Sequence, residues 1–344
     1  MSLPADDNLQ LPPFLPPTAA GVARAAALLS AGEIVALPTE TVYGLAANAL
    51  HENSVRQIFS VKGRPLIDPL IVHGLDVDFL SALAHFTPLA YLLAEACWPG
   101  PLTLILKKSA AVPQLVTAGR DTVAVRVPAH PLTRAVMQAC GLPLAAPSAN
   151  PFGYISPTRA EHVRASFGSK VPWILDGGPC AVGLESTIVD VSDPTRPVCL
   201  LRPGPITIEM LAQILGQPVE VRTATMATKQ EGLGLVAPGL LARHYSPRTP
   251  LALLESGELP PREPNERKAW VRLCRGAGEE SLPSRLETFW LSETGDFAQA
   301  GHGLYELLRK LDEASYTQIF CELAPESGLG VALNDRLRRA AGRG

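Results

Sequence analysis

Polar side chains that directly follow a short apolar run are the first residues of this sequence that could do chemistry. Residues 38–45 read PTETVYGL and come at once after the run EIVAL at 33–37. Threonines, a glutamate and a glycine at such a junction suit a loop that faces a ligand, because hydroxyls and carboxylates fix a ligand's orientation. A capping box, in which Thr39 or Thr41 begins a following helix, explains the same residues equally well.

Two cations beside a glycine form the second group. Lys62 and Arg64 flank Gly63 in the segment KGRP at 62–65. Arginine binds phosphate through paired N–H bonds and lysine acts as a point charge, so the two fit the phosphates of a ligand. Cations at the end of a helix also complement the negative end of its dipole, which is the structural alternative.

Arg126 is a cation inside a predicted strand. The segment TVAVRVP at 122–128 alternates, so its valines share one face of the strand while Ala124 and Arg126 share the other. A buried arginine is costly unless it is paired. We therefore expect an anionic partner for Arg126, either a carboxylate of the protein or a carboxylate of a ligand.

Further polar residues stand at the ends of other apolar runs. His73 ends PLIVH, Ser148 and Asn150 lie in PSAN, Ser186 precedes TIVDV, and Arg202 begins RPG. Each alone is ordinary turn or core chemistry. Together with the cations, and without a metal-binding motif, they predict a pocket for a small anionic ligand at the edge of a sheet.

Composition excludes several classes of protein. The 344 residues are 47% hydrophobic and 18% charged, and they contain no apolar stretch of the about 18 residues that a membrane helix needs. A net charge of −3 disfavours a strongly basic nucleic-acid binder. The six scattered cysteines and the acidic, proline-rich N-terminus indicate no disulfide framework, zinc finger or targeting segment, so we expect a cytoplasmic protein. Phosphate-loop, zinc-protease and serine-hydrolase motifs are absent from the sequence.

Hydrophobic periodicity predicts alternating strands and helices. Strands are expected at 33–37, 69–73, 102–107, 122–127, 142–146, 173–176, 187–191 and 198–202, and then at 251–254, 270–273, 288–291 and 318–322. Helices are expected from a Thr18 cap to about Gly32, and at 53–62, 88–97, 131–140, 159–167, 208–215, 297–311 and 329–341.

This order of elements predicts an α/β fold with two domains. A proline-rich arm at 1–17 precedes a mixed-sheet domain at 18–215. Residues 216–250 lack apolar periodicity and are longer than an ordinary loop, which predicts a linker or lid. Residues 251–344 form a smaller α/β domain.

Several of these segments, in this order, resemble the threonylcarbamoyl-AMP synthase family. The resemblance is carried by PTETVYGLA (38–46), KGRP (62–65), PLIVH (69–73), PSAN (147–150), SPT (156–158), ESTIVD (185–190) and RPG (202–204). It implies a YrdC-like twisted mixed sheet with helices, plus a smaller Rossmann-like C-terminal domain. The segments PGLLARHYSP (238–247) and GLGVALNDRL (328–337) resemble the linker and extra domain of the family's long form.

The resemblance implies a reaction in which L-threonine, bicarbonate or CO₂, and ATP with Mg²⁺ give threonylcarbamoyl-AMP and pyrophosphate. By the family's pattern, threonine would contact Thr41, His73, Arg126 and Ser186. ATP would contact Lys62, Arg64, Asp68, Thr122, Ser148, Asn150, Ser156, Arg202, His244 and Tyr245. The catalytic group would comprise Lys62, Arg64, Arg126 and Ser186, and the ATP phosphates rather than protein side chains would hold the Mg²⁺.

The product of this reaction would pass to a threonylcarbamoyl transferase that modifies tRNA, with a weak tRNA contact and no membrane partner.

Asp68 stands where the family often has asparagine, and a carboxylate repels a triphosphate unless it faces the metal. Phe152 replaces a small residue, and only a packing change is expected.

A non-catalytic module that binds double-stranded RNA or tRNA is the alternative, although the 6% aromatic content counts against it. A carbamoyl-transfer maturation enzyme is a third, weakened by the absence of zinc-finger cysteine spacing.

Overall fold

The computed structural model describes residues 12–222, 235–239, 244–255, 258–261, 266–275 and 286–342. In chain order its first elements are α1 (Ala19–Ser30), β1 (Val35–Leu37), β2 (Gly44–Asn48), α2 (Glu52–Lys62), β3 (Ile71–His73), α3 (Val77–Ser81), β4 (Ala84–His85), α4 (Pro88–Cys97), β5 (Leu102–Lys108), α5 (Gln114–Thr117), β6 (Thr122–Arg126), α6 (Pro131–Cys140) and β7 (Leu144–Ala145). The next are α7 (Ala160–Phe167), β8 (Thr187–Asp190), β9 (Cys199–Arg202), α8 (Ile208–Leu215) and β10 (Glu220–Val221). The last are β11 (Leu251–Leu254), β12 (Lys268–Cys274), β13 (Leu286–Ser292), α9 (Phe297–Glu313), β14 (Gln318–Glu322) and α10 (Leu329–Ala340).

A ten-stranded mixed sheet organises the first part of the chain. Its order is β1-β2-β7-β3-β6-β5-β8-β9-β10, with β4 beside β5. The parallel pair β3 and β6 brings His73 into register with Arg126, so both side chains lie on the same side of the sheet. The valines of β6 face the main core instead, as their alternation predicts.

The second sheet contains strands β11 to β14 in the order β11-β14-β12-β13, all parallel. Helices α9 and α10 supply much of its core, which includes Leu304 and Leu333. Val42 and Leu184 from the first part of the chain belong to the same cluster. The C-terminal domain therefore packs directly on the segments that carry the polar motifs.

The predicted α/β class is confirmed, and most predicted elements are present. Thr18 caps α1 by accepting a hydrogen bond from the backbone N–H of Gly21. The predicted strand 173–176 is wrong, because Ile174 and Leu175 form only isolated bridges. The short elements β2, α3, α5, β4 and β10 were not predicted, because two to five residues carry too little periodicity. Strand β10 also shows that the segment predicted as a linker begins within the first sheet.

The capping-box interpretation of residues 38–45 is also wrong. The element that follows is strand β2, and no helix begins between this loop and α2. Thr39 instead folds its own loop, since its hydroxyl accepts hydrogen bonds from the backbone N–H groups of Thr41 and Val42. The loop is thereby fixed with its polar side chains on the inside.

Candidate active site

A cavity of about 550 Å³, partly open to solvent, lies where several strands of the large sheet begin or end. The loop after β1, the ends of β3, β6 and β9, and the start of β8 all contribute to its wall. The linker closes one side. The lining consists of Thr39, Thr41, Val42, Gly44, Arg64, Ile71, His73, Arg126, Ala146, Pro147, Ser148, Glu185, Ser186, Arg202, Pro238, Gly239, His244 and Tyr245.

Arg126 is buried in the wall and is paired with a protein carboxylate. Its guanidinium donates to Glu40 Oε1 at 2.5 Å, to Thr41 Oγ1 at 3.0 Å and to the Gly100 carbonyl at 3.1 Å. Burial alone would raise the pKa of Glu40, but the charge and hydrogen bond of Arg126 hold that pKa below its usual value. Guanidinium has five N–H donors, so two remain beyond these three contacts within the described residues.

His73 stands beside Arg126 as a neutral imidazole. Burial, and then the charge of Arg126, lower the pKa of His73 to about 3. Its Nδ1 lies 3.4 Å from the carbonyl oxygen of Leu144, which can only accept a hydrogen bond. Nε2 is therefore the unprotonated nitrogen. It can accept a hydrogen bond from a ligand while the ring stays neutral.

Of the two cations from the KGRP segment, Arg64 lines the cavity and Lys62 lies outside the lining as a buried residue. Lys62 is buried and donates to the carbonyls of Ser148 at 2.6 Å and Asn150 at 2.5 Å. Burial, and then the charge of Arg64, lower the pKa of Lys62 well below its usual value. Arg64 forms an ion pair of 2.9 Å with Asp68. Asp68 is thus the counter-ion of Arg64, and the repulsion expected of a carboxylate in this position is offset.

Arg202 holds the loop that carries Ser186. Its Nε and Nη2 both donate to the Ser186 carbonyl, at 3.0 and 2.9 Å, and Nη2 also lies 3.1 Å from Ser186 Oγ. Ser186 Oγ shares a hydrogen bond of 2.7 Å with Thr103 Oγ1. Among the described residues no carboxylate pairs directly with Arg202 or Lys62 within 4.0 Å, so these buried cations keep the side of the cavity near them positive.

Gly204, the last residue of the RPG segment, packs tightly against the loop that carries Ser186. A Cβ at Gly204 would lie 2.5 Å from the backbone nitrogen of Thr187 and 2.8 Å from the carbonyl carbon of Ser186. Glycine therefore lets this turn touch the backbone of the Ser186 loop.

Replacing Gly204 with alanine is expected to displace Ser186. Overpacking costs about 1–3 kcal/mol of unfolding free energy, and a displaced Ser186 should lower kcat/KM for threonine. Denaturant unfolding and threonine kinetics measure the two effects. Gly303→Ala is the control, because a Cβ there meets only Leu291 O at 3.8 Å and alanine favours the helix. Equal stabilities of the Gly204 variant and the parent would contradict the expectation.

The described parts of the linker cover the cavity. The carbonyl of Pro238 accepts a hydrogen bond from Arg202 at 3.4 Å, and Gly239 lines the same side of the cavity. The rings of His244 and Tyr245 contact each other with centroids 4.1 Å apart, and the His244 ring also contacts Phe152 at 5.9 Å. Phe152 is therefore a packing partner of the linker.

Besides the carboxylate oxygens of Asp68, three buried polar atoms at this site have no hydrogen-bond partner within the described ranges. They are Asn150 Oδ1, His244 Nδ1 and the hydroxyl oxygen of Tyr245. Burial, and then the charges of Arg64 and Lys62, lower the pKa of His244 well below its usual value, so its ring is neutral. Because buried polar groups in proteins are nearly always paired, these atoms are available to hydrogen bond a ligand or water in the cavity.

The structure brings most of the predicted site residues together. The lining includes Thr41, Arg64, His73, Arg126, Ser148, Ser186, Arg202, His244 and Tyr245. Lys62, Asp68, Asn150 and Ser156 are buried behind it. Thr122 is not part of the lining and lies on the same strand face as Arg126, about 13 Å away along β6.

Sequence reasoning did not single out Glu40 and Glu185 individually and named Thr39 only as a candidate helix cap, although all three belong to quoted segments. Glu40 was detectable through the expectation that Arg126 needs an anion. Over the described residues, no cluster of three or more histidine, cysteine, aspartate or glutamate side chains is arranged to hold a metal ion. The helices in the same ranges include none with the length and hydropathy of a membrane span.

Comparisons with known proteins show which family the chain belongs to. A Sua5, YciO and YrdC family model described as telomere recombination matches residues 27–204, and one described as the C-terminal domain of threonylcarbamoyl-AMP synthase matches residues 206–342. Threonylcarbamoyl-AMP synthase of Pyrococcus abyssi is 39% identical, over 92% of this chain and 93% of its own length. The Bacillus subtilis enzyme of that name is 41% identical, over 93% of each.

Solved structures of P. abyssi Sua5 are similar over nearly the whole chain. The complex with L-threonine is 37% identical and has a TM-score of 0.83, with 94% of each chain covered. A double alanine variant of the same protein is 35% identical and has a TM-score of 0.85, with 97% of each chain covered.

Proposed function

This chain belongs to the threonylcarbamoyl-AMP synthase family, and from that premise we propose how its cavity makes threonylcarbamoyl-AMP. The enzyme joins L-threonine, bicarbonate or CO₂, and ATP, and releases pyrophosphate, which is the first step of threonylcarbamoyladenosine formation in tRNA. One observation carries the assignment of roles: buried cations and unpartnered polar atoms share one cavity with the Arg126 and His73 pair. Enclosed cations suit a small anionic substrate better than an RNA helix.

The threonine half of the cavity is the wall around Arg126. The two remaining guanidinium N–H groups bind the amino-acid carboxylate, while Glu40 holds the guanidinium in place. Neutral His73 accepts a hydrogen bond from the substrate through Nε2. Thr41 and Ser186 supply hydroxyls at either side, and Ser186 is placed to hold the carbamate. This arrangement keeps the substrate amine near the centre of the cavity.

The ATP half is the wall formed by the other cations and the linker. Lys62, Arg64 and Arg202 stabilise the phosphates, and Ser148 and Ser156 border the same region. Asn150, His244 and Tyr245 offer their unpartnered atoms to the nucleotide. Asp68 acts through its ion pair with Arg64 rather than on the ligand. Thr122 is the least supported member of this set.

The reaction needs positioning more than a covalent nucleophile. The amine of threonine attacks CO₂ and loses a proton to give a carbamate, whose oxygen attacks the α-phosphorus as pyrophosphate leaves. Charge develops on the leaving phosphates, where Lys62, Arg64 and Arg202 are placed to stabilise it. The phosphate oxygens of ATP would hold any Mg²⁺ that accompanies it, and the metal would offset phosphate charge, because Asp68, Glu40 and Glu185 are each paired with an arginine.

The linker supplies the protection from water that this chemistry requires. Free carbamates decompose and acyl adenylates hydrolyse, so a cover over the cavity preserves both. We propose the division into an arm (1–17), a catalytic domain (18–215, to which β10 at 220–221 also belongs), a linker and lid (the rest of 216–250) and a C-terminal domain (251–344). The product then passes to a separate transferase that acts on tRNA, with at most weak tRNA contact here. Six free cysteines are consistent with a cytoplasmic setting.

A direct assay tests these roles. Full-length protein is incubated with ATP, Mg²⁺, bicarbonate and labelled threonine, and pyrophosphate and labelled adenylate are quantified. Both products should appear together and should require all three substrates. Pyrophosphate release that does not depend on threonine, or tight salt-sensitive tRNA binding without either product, would contradict the proposal.

A further inference from the structure

The carboxylate of Glu185 lines the cavity and is bound by side chains of the C-terminal domain. Its Oε2 accepts hydrogen bonds from Arg336 Nε at 2.7 Å and from the Tyr305 hydroxyl at 2.8 Å. Its Oε1 accepts from Ser156 Oγ at 2.6 Å. Arg336 lies on α10 and Tyr305 on α9, so the C-terminal domain supplies two of these three donors. Glu185 directly precedes Ser186 in the cavity wall.

Arg336 is among the most deeply buried side chains of the protein, and its side chain is 0% exposed. It pairs with Glu185 on one side and with Asp335 at 2.5 Å on the other. Asp335 in turn pairs with Arg339 at 2.9 Å. A chain of alternating charges, Glu185, Arg336, Asp335 and Arg339, therefore runs from the cavity into α10 and is neutral as a whole.

The far end of this chain reaches the linker. The carbonyl oxygen of Arg339 accepts hydrogen bonds from the backbone N–H of His244 at 3.3 Å and from Ser246 Oγ at 3.4 Å. The guanidinium carbon of Arg336 lies 5.3 Å from the centre of the Tyr245 ring. One face of α10 thus contacts both the cavity wall and its cover.

The neighbouring charges show what Arg336 prevents. Arg64 is paired with Asp68 and Arg126 with Glu40, whereas Arg202 has only carbonyl and hydroxyl partners among the described residues. Glu185 and Arg202 are close enough to affect each other's charge. Arg202 binds the carbonyl of Ser186, the residue that follows Glu185, and both Arg202 and Glu185 line the cavity. Without Arg336, Glu185 would remain as a buried anion in the same wall as Arg202.

We propose that Arg336 of the C-terminal domain neutralises Glu185 and so reserves the charge of Arg202 for the phosphates of ATP. Arg336 is a positioning residue, because it acts through Glu185 and touches no reacting atom. The C-terminal domain then helps to set the charge of the cavity wall, and it also supports the linker. This inference rests on the proposed assignment of Arg202 to ATP.

A charge-rescue experiment on the full-length protein tests the proposal. The ATP dissociation constant is measured by calorimetry for the parent, Arg336→Met, Glu185→Gln and the double variant R336M/E185Q. Arg336→Met should weaken ATP binding at least about tenfold, because it leaves an unpaired buried charge beside the phosphate site. The double variant removes that charge and should return to within about threefold of the parent.

Arg338→Met is the matched control. Arg338 lies on the same helix, but its ion pair with Glu326 is about half-exposed, so ATP affinity should not change. Arg336→Lys keeps the charge and should bind ATP close to the parent even if Arg336→Met fails to fold. A merely structural role predicts that the double variant and Arg336→Lys are as defective as Arg336→Met, and that result would overturn the proposal. Failure of the parent to bind ATP would instead overturn the proposed function.

Discussion

Replacing Lys62 with methionine is expected to lower kcat/KM for ATP by two to three orders of magnitude, roughly the effect of removing one preorganised electrostatic group from an active site. Among the described residues the ammonium has two carbonyl partners, those of Ser148 and Asn150, so it has charge and one N–H to offer a phosphate. Methionine keeps the aliphatic volume and removes the charge. Steady-state kinetics with ATP varied at saturating threonine measure the loss.

The depressed pKa of Lys62 gives this prediction a second readout. Burial and Arg64 destabilise the ammonium in the free protein, whereas an arriving triphosphate stabilises it. The pKa of Lys62 should therefore rise on binding, and ATP should bind with proton uptake. Calorimetry in buffers of different ionisation enthalpy measures that uptake, which Lys62→Met should reduce.

Lys107→Met is the control for Lys62. Lys107 is half-exposed and pairs with Asp121 at the protein surface, so both ATP kinetics and proton uptake should be unchanged. If the Lys62 and Lys107 variants behave alike, the phosphate role of Lys62 is contradicted.

Replacing Arg126 with alanine is expected to raise the threonine KM by at least about a hundredfold and to leave the ATP dissociation constant within about threefold of the parent. The guanidinium is the cation in the threonine half of the cavity, and its two remaining N–H groups match a carboxylate. Threonine and ATP are varied independently to separate the two effects.

The Arg126 variant also loses stability, because Glu40 is left as a buried unpaired charge. Breaking a buried pair costs about 3–5 kcal/mol of unfolding free energy. The double variant R126A/E40Q should recover much of that stability but none of the threonine affinity. Equal losses for threonine and ATP would refute the assignment of Arg126.

The segments on strand ends could be predicted from the sequence because their signals are local. Alternation in TVAVRVP placed Arg126 on the face opposite the valines, and the need for an anion followed from the cost of burying its charge. The identity of that anion did not follow, since Glu40 is 86 residues away in the chain. The loop at 38–45 was ambiguous because the same threonines suit a cap or a closed turn.

The contribution of the C-terminal domain had no local signal. Arg336 occupies a helix whose sequence, GLGVALNDRL, reads as an ordinary amphipathic surface element. Its partner Glu185 is 151 residues away, and only the packing of α10 on the ESTIVD segment brings them together. Glu185 itself was visible only as part of that segment. Long-range ion pairs of this kind are decided by tertiary structure.

A crystal structure of the protein with L-threonine and a non-hydrolysable ATP analogue tests most directly whether one cavity holds both substrates. The account predicts the threonine carboxylate within hydrogen-bond distance of the Arg126 guanidinium, and phosphate oxygens in contact with Lys62 and Arg202 beneath His244 and Tyr245. A nucleotide bound outside this cavity, or a threonine carboxylate remote from Arg126, would contradict it.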